Sequence, residues 1–355
     1  MTTSKSPKVS VISAVYNTSA RLASCLDSIL AQTLGDFEII IVNDGSTDNS
    51  PEICREYAEK YPDKIVFLDE PNGGVSVAQN KALDVARGEW IIFCDSDDKI
   101  EPGMLEYLYN RAIDNDAQFS TCALICDGSD HEDIRMPYPT DGEALIARED
   151  IIKKMILAFY RCVDDPRVKG YVTLALFKRS IIEQHHIRFI SGLQFAEDEA
   201  FMLNYLEYVD RAAISNKVFY HYILNPKSLC FIFFRKSRYD FGTKEKYWKM
   251  LWTNRLNLFR QFGHEQYAPS YLPILFLNTA YHALQEARCD KAATSAERSA
   301  NFAKIFHDTL QDKDFERISH ADGLSRKHRI FLFCLKHGTA LTKLFCIASQ
   351  FASKN

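Results

Sequence analysis

The first hundred residues alternate short apolar runs with stretches of helical period, and this alternation is the strongest constraint on the fold. Four runs rich in β-branched residues fit buried strands of a mainly parallel sheet, because such strands are covered on both faces and lack polar alternation. The stretches between them fit crossover helices, so the pattern predicts βαβ units of a doubly wound α/β domain. The predicted strands are residues 9–15, 37–42, 65–68 and 90–94.

Capping signals set the expected ends of the helices. Ser19 is placed to cap the first helix, and Ser50 with Pro51 fits the N-cap and first position of the second. A third helix is expected at residues 76–87, with Gly88 as its C-cap. Further helices are expected at residues 102–115, 151–160 and 199–209, with an apolar run at 119–125.

Length and composition fit an ordinary globular protein of about two domains. The 355 residues are 46% hydrophobic and 25% charged, which excludes a disordered or fibrous chain. From about residue 239 the sequence is helix-like and aromatic, so we place a boundary near Ser237, between an α/β domain at 1–237 and a helical region at 238–355. The formal net charge of −4 argues against a whole-protein nucleic-acid footprint, and no nucleic-acid partner is expected.

The cysteines and the first residues lead us to expect a cytoplasmic protein. Ten cysteines are scattered between Cys25 and Cys346 without a CxxC pair, which is typical of free thiols in a reducing compartment. The opening MTTSKSPK leads into a strand of only about seven residues, too short for a signal-peptide core or a membrane span.

Polar side chains follow three of the predicted strands, at the point where each strand ends. AVYN (14–17) closes the first strand, NDGS (43–46) the second and DSDD (95–98) the fourth. Ligands of doubly wound sheets bind at the carboxyl ends of the strands. Three carboxylates within four residues repel one another unless a cation or hydrogen bonds offset the charge, which favours Mg²⁺ or Mn²⁺ bridged to substrate phosphates. Any single Asp here also fits an ordinary cap or turn.

Taken in order, three segments resemble family 2 glycosyltransferases of the GT-A fold. They are VSVISAVYN (9–17), EIIIVNDGSTDNS (38–50) and NGGVSVAQNKALDVARGEWIIFCDSDD (72–98), and the ordered set is far more specific than any of its parts. The resemblance implies an inverting transferase with a mainly parallel sheet flanked by helices. It also implies a nucleotide-sugar donor and Mn²⁺ or Mg²⁺ as the cofactor.

The resemblance assigns roles to individual residues of the donor site. It implies that Asp44 holds the nucleobase, that the backbone at residues 14–16 lines its pocket, and that the DxD-type segment binds the ribose and the diphosphate-bound metal. The residues implied to contact the donor are Ala14, Val15, Tyr16, Asp44, Asn72, Gln79, Asp95, Ser96 and Asp97, and the implied metal ligands are Asp97, Asp98 and His221.

Two positions depart from the family pattern. Gln79 stands where members usually carry Arg, and Asn43 precedes Asp44 where two Asp are common. The missing Arg leaves one cation fewer near the donor, so the identity of the donor stays open, but the metal site is retained.

A downstream segment, GLQFAEDEAFM (192–202), resembles the family's ED motif, in which an acidic residue at a helix start faces the acceptor. The resemblance points to Asp198 as the general base, with Glu197 as the alternative. Displacement with inversion needs a carboxylate there, because the acceptor hydroxyl loses its proton as it attacks. The competing interpretation is that these acidic residues only complement the dipole of the helix N-terminus.

FYHYILNPKSLC (219–230) resembles a third, looser family element that lies near the donor phosphates. There His221 could approach the metal or the diphosphate, and Lys227 or Ser228 could contact phosphate oxygens. A lone His in an aromatic strand is more often a core residue.

The stretch from Arg326 onward contains no acidic residue and combines basic with large apolar side chains. This composition fits an amphipathic helix lying on a membrane surface. It fits equally well a helix docked on the body of the protein with a solvated basic face. Gly338 argues against one continuous helix.

The resemblance implies transfer of a hexosyl or N-acetylhexosaminyl group, most readily from a UDP-sugar. The implied acceptor is a hydroxyl of a glycan or lipid-linked glycan of bacterial surface polysaccharide, in the cytoplasm or at the inner face of the cell membrane. A nucleotidyltransferase is an alternative, but AVYNTSARL after the first strand offers no glycine-rich, basic phosphate loop. Another alternative is a glycan-binding protein without activity. The DSDD and ED segments argue against this alternative, but Gln79 in place of the usual Arg leaves it open.

Overall fold

A computed structural model describes residues 6–127, 134–135, 140–157, 170–193, 196–224, 241–264, 271–289, 293–311, 315, 324 and 326–352. The chain divides into two compact units, one formed by Met1–Phe159 with Asp164–Asn225 and the other by Tyr160–Val163 with Pro226–Asn355. The boundary expected near Ser237 falls in residues 225–240, outside the described part of the chain, so the domain limits stay a prediction.

Twelve strands in the described residues form two sheets of the first unit. They are β1 Val9–Val15, β2 Phe37–Asp44, β3 Ile65–Glu70, β4 Trp90–Phe93, β5 Lys99–Ile100, β6 Phe119–Thr121, β7 Ala123–Asp127, β8 Ile134–Arg135, β9 Glu143–Ala147, β10 Ala175–Lys178, β11 Arg211–Ser215 and β12 Val218–Ile223. The larger sheet has the order β3-β2-β1-β4-β10-β6-β11-β9 and the smaller one β5-β12-β7-β8. The four predicted strands are therefore confirmed.

Parallel pairing brings the ends of the first strands to one edge of the larger sheet. β1 is parallel to both β2 and β4, with Val15 opposite Asn43 and Ile12 opposite Phe93, and β2 is parallel to β3. β10 then joins β4 in antiparallel orientation. All eight residues of β2 are buried, as expected for a parallel strand covered on both faces.

Helices cover the sheet in the first unit and make up most of the described second unit. In the first unit they are α1 Ser19–Leu30, α2 Ser50–Lys60, α3 Val75–Val85, α4 Met104–Asp114, α5 Arg179–Gln184 and α6 Glu197–Leu206. In the second unit they are α7 Phe241–Gln261, α8 Tyr271–Cys289, α9 Ser295–Gln311, α10 Arg326–His337 and α11 Thr339–Ala352. The α/β fold with C-terminal helices that the sequence predicts is thus confirmed.

Several predicted helix ends were wrong by one or more residues. Ser19 and Ser50 are the first helical residues, after Thr18 and Asn49, because their backbone N–H groups bind the side chain of Asp48 instead of starting a cap of their own. Residues 151–156 form a π-helix rather than an α-helix, and residues 158–160 lie outside the described range. α6 begins at Glu197, two residues before its predicted start.

Gly88 has a different role from the predicted C-cap, since α3 already ends at Val85. A Cβ atom on Gly88 would lie 2.4 Å from the backbone nitrogen of Ser10 in β1. Its own N–H donates to Ser10 Oγ over 2.8 Å, and that hydroxyl donates to the buried carboxylate of Glu38 over 2.7 Å. Glu38 also accepts hydrogen bonds from the backbone and guanidinium of Arg87. This network fixes the turn that leads from α3 into β4.

The second unit has a core of its own. α8, α9, α10 and α11 contribute buried apolar side chains, and Gly338, with φ of +116°, separates α10 from α11. The expected break in the last helix is confirmed, since few side chains tolerate this backbone conformation. Among the described residues, no helix is both long and apolar enough to cross a membrane. The core residues include Leu277, Leu284, Phe302, Phe306, Phe331, Leu335 and Cys346.

We expect Gly88→Ala to destabilise the protein by about 1–3 kcal/mol, since the added methyl group overlaps the backbone of β1. The matched control is Gly35→Ala, because a Cβ atom there has no neighbour within 4 Å, and its cost should stay within about 0.5 kcal/mol. Urea unfolding followed by circular dichroism measures both values. Equal stability of the two variants would contradict the assigned role of Gly88.

Candidate active site

The loops after β1 and β2 are held together by hydrogen bonds at the carboxyl edge of the sheet. Asn17 adopts a left-handed backbone conformation with φ of 54°, which Asn tolerates better than most residues. Its side-chain oxygen accepts the N–H of Thr47 over 2.7 Å and the N–H of Asp48 over 3.3 Å. Its own N–H donates to Ser46 Oγ over 3.0 Å. The two loops therefore form one structural element.

Asp48 caps two helices at once. One carboxylate oxygen accepts the N–H of Ser19 in α1 and the other accepts the N–H of Ser50 in α2, both over 3.0 Å. Desolvation alone would raise the pKa of Asp48, but the hydrogen bonds from Ser50 and Ser19 lower the pKa to about 2. Nearby, Thr18 Oγ1 lies 3.1 Å from Ser96 Oγ, which connects these loops to the DSDD turn.

Asp44, the predicted nucleobase residue, is buried at the end of β2. Its carboxylate accepts the backbone N–H groups of Gly73 over 2.7 Å and Gly74 over 3.0 Å, and the amide of Asn72 over 3.2 Å. Gly45 follows with φ of +65°, and a Cβ atom there would lie 2.5 Å from the nitrogen of Asn72. Asp44 thus fixes the approach to α3. The Gly74 N–H also lies 3.2 Å from the other oxygen, so each carboxylate oxygen has two donors from this loop.

Gln79 and Tyr16 are two further residues predicted to contact the nucleotide sugar. Gln79 on α3 is only 4% exposed, and its side-chain oxygen has no hydrogen-bond partner among the described residues. Tyr16, at the end of β1, is 50% exposed, whereas Val15 before it is buried and Ala14 half-buried. A ligand is the natural partner for a buried polar atom and for an exposed aromatic ring at a strand end.

The DSDD turn is organised by the hydroxyl group of Tyr220. This hydroxyl accepts the N–H of Asp95 over 3.1 Å and donates to Asp98 Oδ2 over 2.8 Å. The other oxygen of Asp98 accepts the N–H of Ile223 over 2.8 Å. Asp98 is buried, and both of its oxygens bind β12. The structure therefore gives this predicted metal ligand a connecting role between the turn and the smaller sheet.

His221, the other predicted metal ligand outside the turn, also has protein partners. Its Nε2 atom lies 2.8 Å from Glu101 Oε1, and Nδ1 lies 3.2 Å from both carboxylate oxygens of Asp127. Burial opposes protonation, but these two carboxylates outweigh it and raise the pKa of His221. The assignment to a metal is not supported by these contacts. Lys227 and Ser228 lie outside the described residues.

The structure brings the DSDD turn and the ED segment into one acidic cluster. Desolvation and the charges of Asp97 and Glu197 raise the pKa of Asp95 to about 7. Desolvation and the charges of Glu197 and Asp95 raise the pKa of Asp198 well above its usual value. Desolvation likewise raises the pKa of Glu197 to about 7. Asp95 is exposed and Asp198 is half-buried, so a ligand can reach both residues.

Close packing positions the start of α6, which carries Glu197 and Asp198. A Cβ atom on Gly170 would lie 2.5 Å from Glu199 Cα, so only glycine allows this approach. Ala196, the residue before the helix, has a left-handed backbone with φ of 58°, a conformation that costs energy for alanine. The N–H of Val172 lowers the pKa of Asp198 and partly opposes the other effects.

The predicted metal ligands do not form a preassembled group in the described residues. No group of three His, Cys, Asp or Glu side chains in the described residues is arranged as a ready metal site. Asp95 and Asp97 stay suitable, because their charges lie close together and oxygen ligands suit Mg²⁺ and Mn²⁺. Such a cation would take its remaining ligands from phosphate oxygens and water.

Sequence reasoning missed Asn17, Asp48 and Tyr220. Asn17 and Asp48 carry a usable signal, since Asn in a strand-end turn and Asp two residues before Ser-Pro are both typical of side chain to backbone hydrogen bonds. Tyr220 carries none, because one tyrosine in the aromatic run VFYHYI is indistinguishable from a core residue. Its partners are 122 and 125 residues away along the chain.

Comparison with known proteins shows the family. A model of glycosyl transferase family 2 matches residues 10–185. The uncharacterized glycosyltransferase EpsJ of Bacillus subtilis is 30% identical over 252 residues, which cover 71% of each protein. Poly(ribitol-phosphate) beta-glucosyltransferase of Bacillus spizizenii is 31% identical over 223 residues, which cover 61% of this chain and 32% of that enzyme. Two other bacterial relatives are matched over 63% of their own length.

The fold is shared with a solved structure. The crystal structure of residues 1–349 of S. aureus TarS in complex with UDP-GlcNAc has a TM-score of 0.72 at 19% identity, covering 97% of this chain and 92% of that chain. The architecture is thus that of GT-A glycosyltransferases, as the sequence predicts. The chain belongs to glycosyl transferase family 2.

We expect Asp48→Ala to destabilise the protein by about 1–2 kcal/mol near neutral pH, the usual cost of losing a helix cap. Because the pKa of Asp48 is lowered from 3.8 to about 2 on folding, this stabilisation is complete above pH 4 and is lost as the pH falls toward 2. Urea unfolding of wild type and variant at several pH values measures the difference.

The control for this pH series is Asp63→Ala, which removes an exposed carboxylate from the turn before β3. Its difference in stability from the wild type should be small, as for most surface substitutions. A stability difference for Asp48→Ala that persists unchanged at pH 2 would rule out the double cap.

Proposed function

We propose that this chain transfers a sugar from a nucleoside diphosphate, most readily UDP, to an acceptor hydroxyl with inversion at the anomeric carbon. One observation carries the proposal: the carboxylates of the DSDD turn and of the α6 start lie close enough to raise one another's pKa. A metal-phosphate group and a general base are therefore expected side by side, as a displacement at the anomeric carbon needs.

The donor site is proposed at the carboxyl ends of β1 and β2. Tyr16 offers an exposed ring against a nucleobase, Asp44 at the end of β2 is the proposed nucleobase residue, and Gln79, whose buried oxygen has no partner among the described residues, is the proposed contact to a donor hydroxyl. The backbone of Ala14 and Val15 would line the same pocket. TarS, which shares this fold, was crystallised with UDP-GlcNAc, which supports a UDP-sugar and an N-acetylhexosaminyl group as the first to test.

Asp95, Ser96 and Asp97 are proposed to face the ribose and diphosphate, with Asp95 and Asp97 holding Mn²⁺ or Mg²⁺. Bound there, the cation would stabilise the charge of the departing diphosphate. Asp98 adds negative charge to the turn, but both of its carboxylate oxygens accept hydrogen bonds from β12. We therefore no longer count Asp98 or His221 among the direct ligands.

Asp198 is the proposed general base. The acceptor oxygen forms its bond to the anomeric carbon while the bond from that carbon to the diphosphate breaks, and the hydroxyl proton moves to the Asp198 carboxylate. A raised pKa makes this carboxylate a stronger proton acceptor than an ordinary surface Asp. One carboxylate suffices for this single displacement, whereas retention through a covalent intermediate would need a second as nucleophile.

The proposed acceptor is a glycan or lipid-linked glycan of bacterial surface polysaccharide, used in the cytoplasm or at the inner face of the cell membrane. Support comes from a relative named as a poly(ribitol-phosphate) beta-glucosyltransferase. Family membership favours sugar transfer over nucleotidyl transfer. A glycan-binding protein without activity, the other alternative, predicts that the wild type transfers no sugar in the experiment below.

Asp198→Asn should keep donor binding and lower turnover by about two to four orders of magnitude, since the shape is retained and the proton acceptor is lost. Initial rates with UDP-sugars and calorimetry with UDP separate the two quantities. Asp210→Asn, an exposed position beyond the end of α6, should leave both unchanged.

Two results would revise this mechanism. A product that retains the anomeric configuration of the donor, seen by nuclear magnetic resonance, would refute single displacement. An active Asp198→Asn variant together with an inert Glu197→Gln variant would move the base to Glu197.

Removal of divalent cations should abolish transfer and weaken binding of UDP, and Asp97→Asn should reproduce both effects, because the diphosphate then meets uncompensated carboxylates. Calorimetric titration with UDP, with Mn²⁺ or with a chelator, measures the binding. Asp114→Asn, exposed at the end of α4, is the control. Full transfer by the chelated wild type would refute the metal assignment.

A further inference from the structure

The last two helices of the second unit expose large apolar side chains on the surface opposite their packing face. Phe331 and Leu335 of α10 and Cys346 of α11 are buried in the core of the unit. On the outer side Ile330 is 44% exposed, Phe333 54%, Leu341 41% and Leu344 61%. Four of the nine large apolar side chains exposed in the described residues thus fall within fifteen consecutive positions. Packing of α10 and α11 into the core of the second unit therefore leaves these four apolar side chains exposed.

The same segment is strongly basic. Residues 323–355 contain six Lys or Arg and no Asp or Glu, although the whole chain has a net charge of −4. Arg326, Lys327, Arg329, Lys336 and Lys343 are all exposed. Lys327 Nζ also lies over the ring of Tyr281, 4.9 Å from its centroid, which is a cation–π contact. The surface is therefore positive as well as apolar.

Basic and apolar side chains meet in one open groove on α10. Arg326, Arg329, Ile330 and Phe333 line a volume of about 430 Å³. Guanidinium groups bind phosphate oxygens in a bidentate manner, and the neighbouring isoleucine and phenylalanine favour hydrocarbon. A phosphate headgroup attached to acyl chains presents both kinds of partner.

Other occupants fit this surface less well. In a symmetric dimer each subunit would place the same basic surface against its copy, and the like charges would repel. Nucleic acid would pair with the basic side chains but leave the four apolar ones in water. No described helix is both long and apolar enough to span a bilayer, so the lipid contact proposed here is one at the interface.

We propose that α10 and α11 form a docking surface, defined by Ile330, Phe333, Leu341, Leu344 and the five basic residues, for an anionic lipid bilayer. The apolar side chains enter the boundary between headgroups and acyl chains, and the basic ones lie among the anionic headgroups. The transferase chemistry is not needed for this contact, so it can be tested without substrates.

The test uses the full chain and vesicles of phosphatidylglycerol with phosphatidylcholine, compared with pure phosphatidylcholine. Sedimentation should show a partition coefficient at least about tenfold higher on the anionic vesicles at low salt, falling as salt screens the charges. Failure to bind anionic vesicles at low salt, or equal binding to both compositions, would overturn the proposal.

Variants locate the contact. Phe333→Ser combined with Leu344→Ser should lower the partition coefficient by about tenfold or more, since two apolar side chains no longer enter the interface. Ile113→Ser with Leu145→Ser removes equally exposed apolar side chains from the first unit and should bind as wild type. Equal loss in both pairs would overturn the assignment, and circular dichroism verifies that each pair is folded.

Tryptophan fluorescence provides an independent measurement of the same contact. Phe333→Trp should add tryptophan emission that shifts to shorter wavelength with anionic vesicles, whereas Leu145→Trp should not. Sedimentation velocity without lipid tests the rival occupant: a dimer that Phe333→Ser with Leu344→Ser dissociates would assign this surface to a second copy and refute lipid docking.

Discussion

Mutual repulsion of carboxylates at one edge of the sheet is the constraint on which the rest of the first unit depends. Parallel pairing places the ends of β1, β2 and β4 at the same edge of the sheet, so residues far apart in the chain bring their charges to one region. α6 adds Glu197 and Asp198 to the same region. Such a concentration of charge persists only when each carboxylate is hydrogen-bonded, protonated or neutralised by a cation.

The acidic residues differ in how this repulsion is relieved. Asp44, Asp48 and Asp98 accept hydrogen bonds from backbone N–H groups or from Tyr220, and each joins two segments of the chain. Asp95, Glu197 and Asp198 have a raised pKa. Asp98 belongs to both groups, because desolvation and the charge of Asp95 raise its pKa to about 8 in spite of its hydrogen bonds. Hydrogen bonds thus build the site, and the carboxyl groups with a raised pKa carry the reactivity from which we infer its chemistry.

The sequence predicts the strands and the α/β fold well, because buried parallel strands leave local patterns. The roles of the strand-end carboxylates stay a prediction, and their contacts could not be foreseen from the sequence. Asp98 was expected to bind metal, yet its partners are on β12, 122 and 125 residues away. Likewise Gly88 satisfies a local rule for a helix end, but its real constraint is the backbone of β1. Contacts between distant segments leave no periodic signal.

The caps described for α1, α2 and α3 have a consequence for how this fold treats anions. A helix N-terminus in a nucleotide-binding fold commonly serves as a phosphate site, since its free N–H groups point at the ligand. Here Asp48 occupies the first N–H groups of α1 and α2, and Asp44 those leading into α3. The first N–H groups at these helix ends are thus taken by carboxylates of the chain itself. An anion that approached this edge of the sheet would meet carboxylates instead of free N–H groups, and a cation arriving with it would offset their charge.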